Sequence, residues 1–320
     1  MKKRIAIVLS VILLLVMAAG CGTSKADEKI LIGVLQIEAH PALDTAYQGF
    51  VDALAEAGYV DGENITLDYQ NAQGKISNCA TIADKFVNDG CDLILAIATP
   101  AAQAAANATQ DIPILITAVT DPASAQLVQS NEMPGTNVTG TSDLTPVRQQ
   151  MELIPLLFPE ATTVGFLYSS SESNSVFQID IARGVADNLG LEYQDFTVNN
   201  TNDIQQVVTS MIGKVDVVYI PTDNQLAKAI STVSAIATEN GLPIIVGEEG
   251  MVDGGGLASY SISYYELGKI TGTQAVSILK GEGEPATMPI QYQENVTFKY
   301  NEEVAEALGV TIPEELLDEA

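Results

Sequence analysis

The feature that most constrains this chain is a repeated pairing of an unbroken apolar run with a helical stretch. Cys91-Asp92-Leu93-Ile94-Leu95-Ala96-Ile97-Ala98 settles into apolar residues without alternation, and Thr99-Pro100 leads from it into the Ala-rich residues 101–106. A strand without alternation is buried on both faces, which is the condition of a parallel sheet covered by helices. The same grammar stands on either side: residues 30–36, 65–70 and 112–119 read as strands, 43–57 and 76–87 as helices. It returns in the second half, with strands at 163–168, 192–198, 215–220 and 242–246 and helices at 176–189, 204–212 and 224–238. Two half-chains of this kind predict an α/β fold made of two similar doubly wound parallel-sheet lobes.

The periodicity breaks between residues 133 and 146, at Pro134-Gly135 and Thr141-Ser142-Asp143, and the seam between lobes is expected there. After Gly254-Gly255-Gly256, residues 257–262 read as a strand and 264–279 as a long amphipathic helix stopped by Gly281 and Gly283; strands at 288–292 and 296–300 follow. This tail is expected to cross back to the first lobe and partly return, so that hinge strands join the lobes. The resulting layout is a leader over 1–20, a tether over 21–29, an N-terminal lobe of 30–142 with about 264–292, and a C-terminal lobe of 143–263 with about 293–320.

The leader rests on Lys2, Lys3 and Arg4, the apolar residues 5–19 and then Gly20-Cys21. A basic start, a short apolar core and small residues describe a signal peptide, and the run falls short of the roughly 20 residues that span a bilayer. Ala18-Ala19-Gly20-Cys21 resembles the lipobox of bacterial lipoproteins, with Ala18 where Leu is usual; the resemblance implies a lipid on Cys21 that anchors the exported protein to the outer face of the membrane. With 14 Lys and Arg against 41 Asp and Glu, and a net charge of −27, the chain lacks the clustered cations that nucleic acid requires. For Cys79 and Cys91 no disulfide is expected. About nine helical residues from Cys79 at ~1.5 Å each carry the chain ~14 Å onward before Cys91, beyond the ~7 Å limit between bridged Cα atoms.

Open parallel sheets bind ligands beyond the carboxyl ends of their strands. Those ends carry Gln36-Ile37-Glu38-Ala39-His40-Pro41, Thr99-Pro100-Ala101 and Thr120-Asp121-Pro122 in the first half, and Ser169-Ser170-Ser171-Glu172-Ser173-Asn174, Pro221-Thr222-Asp223-Asn224 and Gly247-Glu248-Glu249 in the second. Hydroxyls and helix starts dominate the first set, carboxylates the second. A free α-amino acid needs that division: hydroxyls and N–H groups for its carboxylate, a carboxylate for its ammonium. Thr99 and Thr120 are candidates for the first task, Asp223 and Glu248 for the second. Each also has a structural reading: Thr99 as the N-cap of its helix, Asp223 as a cap before Asn224, and the serines from Ser169 as a capping box.

Chemistry of other kinds finds little support. Arg occurs only at Arg4, Arg148 and Arg183, which leaves no evident fork for phosphate or a second carboxylate. His40 is the only histidine, no Gly-x-Ser-x-Gly elbow is present, and neither metal-ligand spacing nor a phosphate loop occurs. No catalytic activity, metal or cofactor is expected.

Gln36 through His40-Pro41-Ala42-Leu43-Asp44 and Gly49-Phe50, Ile97-Ala98-Thr99-Pro100-Ala101, and Val119-Thr120-Asp121-Pro122, behind a lipobox, resemble the solute-binding lipoproteins of ABC importers. The likeness is to their tryptophan/tyrosine-type branch, which implies a type I periplasmic-binding-protein fold. It further implies a monomeric uptake receptor that closes on a hydrophobic or aromatic amino acid and docks on permease and ATPase subunits. Carried over by position, the resemblance gives Thr99 and Thr120 to the ligand carboxylate and Asp223 to the ammonium. Pocket walls are sought among His40, Tyr168, Phe177, Tyr260 and Tyr264, with Gln36, Pro100, Ala101, Asp121, Ser142, Ser170, Asn174 and Glu248 as further ligand-binding candidates. A sugar or nucleoside binder of the same fold, and a ligand-sensing receptor component, remain as alternatives.

Overall fold

A computed structural model describes residues 29–318. The leader, Cys21 and all of the tether but Lys29 lie outside the described residues. The first half opens with β1 (Ile30–Gln36), α1 (Pro41–Glu56), β2 (Ile65–Asn71), α2 (Ile76–Asp89), β3 (Leu93–Ile97), α3 (Thr99–Ala108), β4 (Ile114–Val119) and β5 (Val138–Ser142). Every residue of β3 and β4 is buried, as their unalternating sequence requires. Gly90 ends α2 in the left-handed region (φ 69°, ψ 43°), which only glycine enters without a Cβ penalty.

The second half continues with α4 (Val147–Leu157), β6 (Thr163–Ser169), α5 (Ser173–Leu189), β7 (Glu192–Val198), α6 (Ile204–Met211) and β8 (Val217–Ile220). Then come α7 (Asn224–Glu239), β9 (Ile244–Val246), α8 (Glu249–Asp253), β10 (Ala258–Ser261), α9 (Tyr264–Leu279), β11 (Gln291–Tyr292), β12 (Thr297–Tyr300), α10 (Glu302–Leu308) and α11 (Glu314–Leu317).

Two six-stranded sheets result, ordered β11-β5-β4-β3-β1-β2 and β12-β10-β9-β8-β6-β7. All neighbours are parallel except β12, which runs antiparallel to β10. The chain passes between the sheets after β5, after β10 and after β11. In each sheet the strand order reverses beside the first strand, between β1 and β3 and between β6 and β8, which opens a crevice at the carboxyl ends there.

Helix α9 returns from the second sheet to pack on α1, and two glycines set how closely. A Cβ on Gly268 would stand 1.9 Å from the Ala46 carbonyl oxygen, and one on Gly49 2.1 Å from that of Tyr265. The two helices therefore meet backbone to backbone, and Tyr264, at the start of α9, is held over the cleft.

The structure adds elements that periodicity does not announce. β5 has the sequence Val-Thr-Gly-Thr-Ser and is buried throughout. Its hydroxyls are paired inside the fold: Thr139 donates to the Met288 carbonyl at 2.7 Å, and Thr141 Oγ1 lies 2.9 Å from Thr271 Oγ1. A buried strand whose polar atoms are satisfied this way reads as a loop in the sequence. Helix α4, with Pro155 inside it, falls in the same stretch. The strand expected over 288–292 shortens to β11, because Pro285–Thr287 form a 3₁₀ turn ahead of it.

Candidate functional site

The carboxyl ends of β1, β3 and β4 face those of β6, β8 and β9 across a cleft. Inside it is a cavity of about 20 Å³, enough for one water molecule. His40, Ala118, Thr120, Asp143 and Tyr264 line it from the first lobe; Asn174, Thr222, Asp223, Asn224 and Glu248 line it from the second. Neither Lys nor Arg stands among the described residues that line it. Side chains meet across the gap: Lys228 Nζ lies 2.9 Å from Glu38 Oε2, Gln178 Nε2 donates to Thr120 Oγ1 at 3.4 Å, and His40 Nε2 lies 3.4 Å from Asn224 Oδ1. The lobes are closed on each other.

Local sequence explains how the acids arrive. Asp223 is the N-cap of α7: Oδ1 accepts from the Leu226 N–H at 3.0 Å, while Oδ2 accepts from the Ser169 N–H at 2.6 Å and the Ser175 hydroxyl at 2.7 Å. Glu172 accepts from the Asn224 and Gln225 N–H groups, both at 3.2 Å, and so also serves the start of α7. Glu248 is the N-cap of α8 and accepts from the Gly250 N–H. Asp143 differs. Its Oδ2 accepts from the Tyr264 hydroxyl at 2.7 Å, and its Oδ1 has no partner among the described residues.

Burial makes the charged forms costly, and all four carboxyls are shifted upward. Burial pushes Asp143 up to about 6 against the pull of the Tyr264 and Thr120 hydroxyls. It pushes Glu248 up to about 7 against the Gly250 and Met251 N–H groups. Glu172 is raised by burial and by the charge of Asp223, and Asp223 by burial despite its three close donors. His40 is shifted the other way: burial keeps its imidazole neutral below the usual range.

Of the residues expected at the site, His40, Thr120, Asn174, Asp223 and Glu248 gather at the inner cavity. Thr99, Asp121 and Phe177 line an adjoining hollow of about 220 Å³, to which Asn174 also contributes. Pro100 lines a wider groove at the cleft mouth with Ile76, Ser171 and Ser173, and Ala101 is buried within α3. The remaining candidates are engaged elsewhere. Gln36 Nε2 donates to the Glu38 carbonyl and to Asp44 Oδ1, both at 2.7 Å, and thereby shapes the β1–α1 loop. Ser142 donates to the Thr120 carbonyl at 2.7 Å, and Ser170 to Asn199 Oδ1 at 2.9 Å. The Tyr168 hydroxyl accepts from Arg183 at 3.2 Å, and the Tyr260 ring packs on Phe298 at 5.5 Å. Neither tyrosine is among the described residues that line the inner cavity.

Two further expectations are corrected. Thr99 is not a helix cap: Ala98 occupies that position with φ 79° and ψ 155°, and Thr99 Oγ1, in the first turn, has no partner among the described residues. A non-glycine residue in that region is strained, and such strain collects at functional sites. The division of hydroxyls to one lobe and carboxylates to the other also fails, since Asp143 follows β5 and its N–H bonds the Val119 carbonyl of the first sheet. In sequence Asp143 falls where the periodicity breaks, and its partner Tyr264 is 121 positions away, so no local pattern marks it. Cys79 and Cys91 are free and buried, as expected.

Two lobes meeting at their strand ends around a small polar cavity define a binding protein that clamps a small molecule between them. The chain belongs to the ABC transporter substrate binding protein family, whose profile it matches over residues 31–320. Proteins of this kind work outside the cytoplasm. A tyrosine-binding protein of Clostridioides difficile (strain R20291) is 40% identical, over 97% of this chain and 93% of that one. A solved ABC domain in complex with L-Trp, from Streptococcus pneumonia, is 43% identical with a TM-score of 0.88, covering 92% of this chain and 99% of that one. The ligand-free, open structure of a substrate-binding protein with adhesive properties from Clostridium difficile is 46% identical but has a TM-score of 0.68, covering 88% and 96%. The lobes here are thus arranged as in the L-Trp complex and not as in the open relative, despite the latter's higher identity. Solved binding proteins for myo-inositol and D-allose, at 15% and 16% identity and TM-scores of 0.62 and 0.59, share the fold alone.

Proposed function

We propose that this protein captures a free aromatic or other hydrophobic amino acid between its lobes and delivers it to the permease and ATPase subunits of an ABC importer. The observation that carries the reading is the inner cavity: carboxylates from both lobes converge on it, and no Lys or Arg is among its described lining residues. Such a site favours a ligand that brings its own positive charge. Next to it, the unpartnered Thr99 hydroxyl and the free N–H groups of the first turn of α3 suit the ligand carboxylate, and Phe177 offers an apolar face. Relatives described as tyrosine-binding or solved with L-Trp support the ligand class. Binding shifts the lobes toward the closed state because contacts from both lobes are made only there.

Calorimetric screening of amino acids, sugars and nucleosides tests this. Saturable binding of tyrosine or tryptophan, with no response to sugars, is expected; stabilisation by a sugar or nucleoside alone overturns the ligand class. The export reading adds a lipid on Cys21 that holds a monomer at the outer membrane face. Radioactive fatty acid is expected to label the wild type and not Cys21→Ala, and equal labelling removes the anchor.

A further inference from the structure

The turn between β2 and α2 is fitted over the end of β1. The Ala72 N–H donates to the Gln36 carbonyl at 2.8 Å and the Gly74 N–H to the Ile37 carbonyl at 2.7 Å. Asn78, in the first turn of α2, donates through Nδ2 to the Ala72 carbonyl at 3.0 Å, and Asn71 Oδ1 accepts from the Gln73 N–H at 2.7 Å. Two successive residues stand in the left-handed region, Gln73 at φ 55° and Gly74 at φ 72°. A glutamine there is strained, and the bonds on either side hold that strain in place. The turn brings Gly74 against Glu38: a Cβ on Gly74 would stand 2.5 Å from Glu38 Oε2 and 3.6 Å from its Cδ. That oxygen is the one that meets Lys228 Nζ at 2.9 Å, while Oε1 accepts from the Ala39 N–H at 3.2 Å.

We propose that Gly74 is a positioning residue for the closed state: the bare turn at 73–74 fixes the Glu38 carboxylate where Lys228 of the other lobe meets it, and thereby sets how long a captured ligand is retained. Glycine serves twice here, by entering the left-handed region without a Cβ penalty and by leaving free the space that the carboxylate fills. The obstacle to a larger residue is the far end of a side chain and not backbone, so a methyl group at 74 moves the carboxylate and leaves the fold in place. Room for that movement lies next to it, in a groove of about 510 Å³ at the cleft mouth that Gln73, Gly74 and Glu38 line from the first lobe and Glu172, Asn224 and Gln225 from the second. A carboxylate turned into the groove no longer reaches Lys228, and the closed lobes lose one tie. The proposal takes from the amino-acid reading only the ligand with which retention is timed.

The test compares the wild type with Gly74→Ala, Gly74→Asn and Gly58→Ala. Asparagine enters the left-handed region more readily than other residues with a side chain, so Gly74→Asn brings the Cβ at a smaller backbone cost. Gly58, at φ 89° with open space around its Cβ position, carries the backbone cost without the neighbour. Stopped-flow release of L-tyrosine or L-tryptophan at low salt is expected to speed up about two- to fivefold in both Gly74 variants, as for the loss of one half-exposed ion pair, and to stay unchanged in Gly58→Ala. In a Lys228→Met background Gly74→Ala should add nothing, because the pair is already gone. Carbodiimide coupling of Glu38 to Lys228, counted by mass spectrometry of the linked peptides, reads the same contact in the ligand-free protein; its yield is expected to fall in both Gly74 variants and to hold in Gly58→Ala. A wild-type release rate or a wild-type coupling yield in Gly74→Asn overturns the assignment, as does an equal acceleration by Gly74→Ala with Lys228 already replaced. Should Gly74→Ala fail to fold, Gly74→Asn decides. If no amino acid binds the wild type, the amino-acid reading falls and the coupling yield alone decides.

Discussion

Lys228 on α7 and Glu38 in the loop after β1 form an ion pair, with Nζ 2.9 Å from Oε2, that ties the second lobe to the first. Glu38 is almost buried in the closed cleft, its side chain 8% exposed, whereas that of Lys228 is 46% exposed. The pair cannot survive separation of the lobes, so it stabilises the closed state only.

Lys228→Met is therefore expected to weaken ligand binding with little effect on the melting temperature of the ligand-free protein. Solvent screening at the exposed lysine limits the contribution to about 0.5–1 kcal/mol, roughly two- to fivefold in Kd. The loss should lie in the dissociation rate and shrink as salt is raised from low to high. Stopped-flow kinetics that give equal dissociation rates for variant and wild type at low salt would remove the latch.

Asp223 has a structural task beyond any contact with ligand. Its carboxylate joins the end of β6, the first turn of α5 and the start of α7 through Ser169, Ser175 and Leu226. Asp223→Ala is expected to cost about 2–4 kcal/mol of stability, from a lost cap and charge-assisted hydrogen bonds in a buried setting. Urea unfolding measures this, and a midpoint within error of wild type would show that the donors find other partners.

The upward shifts of the buried carboxyls give their own contribution to the ligand-free protein's stability a definite sign with pH, opposed in part by the buried His40, whose downward shift adds stability as pH rises through its unfolded value. A carboxyl raised in the folded state stabilises fully below its unfolded value near 4 and loses that contribution as pH rises through its folded value. Asp143 at about 6, facing Tyr264, and Glu248 at about 7, facing Asp143 and Glu249, place the loss between the unfolded value near 4 and the folded value of about 7. The difference in melting temperature between Glu248→Gln and the wild type should thus grow in favour of the variant from about pH 4 to about pH 7 and level off above it. A Glu248→Gln difference that stays constant from about pH 4 to about pH 7 contradicts this assignment.

How far the sequence carries depends on which interactions are local. Unalternating strands such as β3 and β4 declare a covered parallel sheet, and α9 runs over residues 264–279 as its amphipathic pattern requires. The strand-end rule likewise leads to His40, Thr120, Asn174, Asp223 and Glu248. β5 escapes because its threonines are satisfied by Met288 and Thr271, far along the chain. The difference between Asp223 and Asp143 escapes for the same reason. Both are aspartates at strand ends, and only three-dimensional partners show that Asp223 joins three elements while Asp143 meets the hydroxyl of Tyr264.

The contact of α1 with α9 gives the last prediction. Gly268 has an ordinary helical backbone, so alanine there meets no conformational penalty and gains helix propensity. What opposes it is the Ala46 carbonyl oxygen, 1.9 Å from the position a Cβ would take, a backbone atom that cannot swing aside. The helices must part, and Gly268→Ala is expected to destabilise by about 1–3 kcal/mol, the usual cost of overpacking. The movement also carries Tyr264, one turn earlier on α9, away from Asp143, so amino-acid affinity should fall together with the melting temperature. A control at exposed Gly184, which has open space around its Cβ position, separates the two effects, because alanine there is expected to stabilise slightly. Thermal melts and calorimetry on both variants check this; a Gly268→Ala protein as stable as wild type would mean that the two helices are not locked at backbone distance.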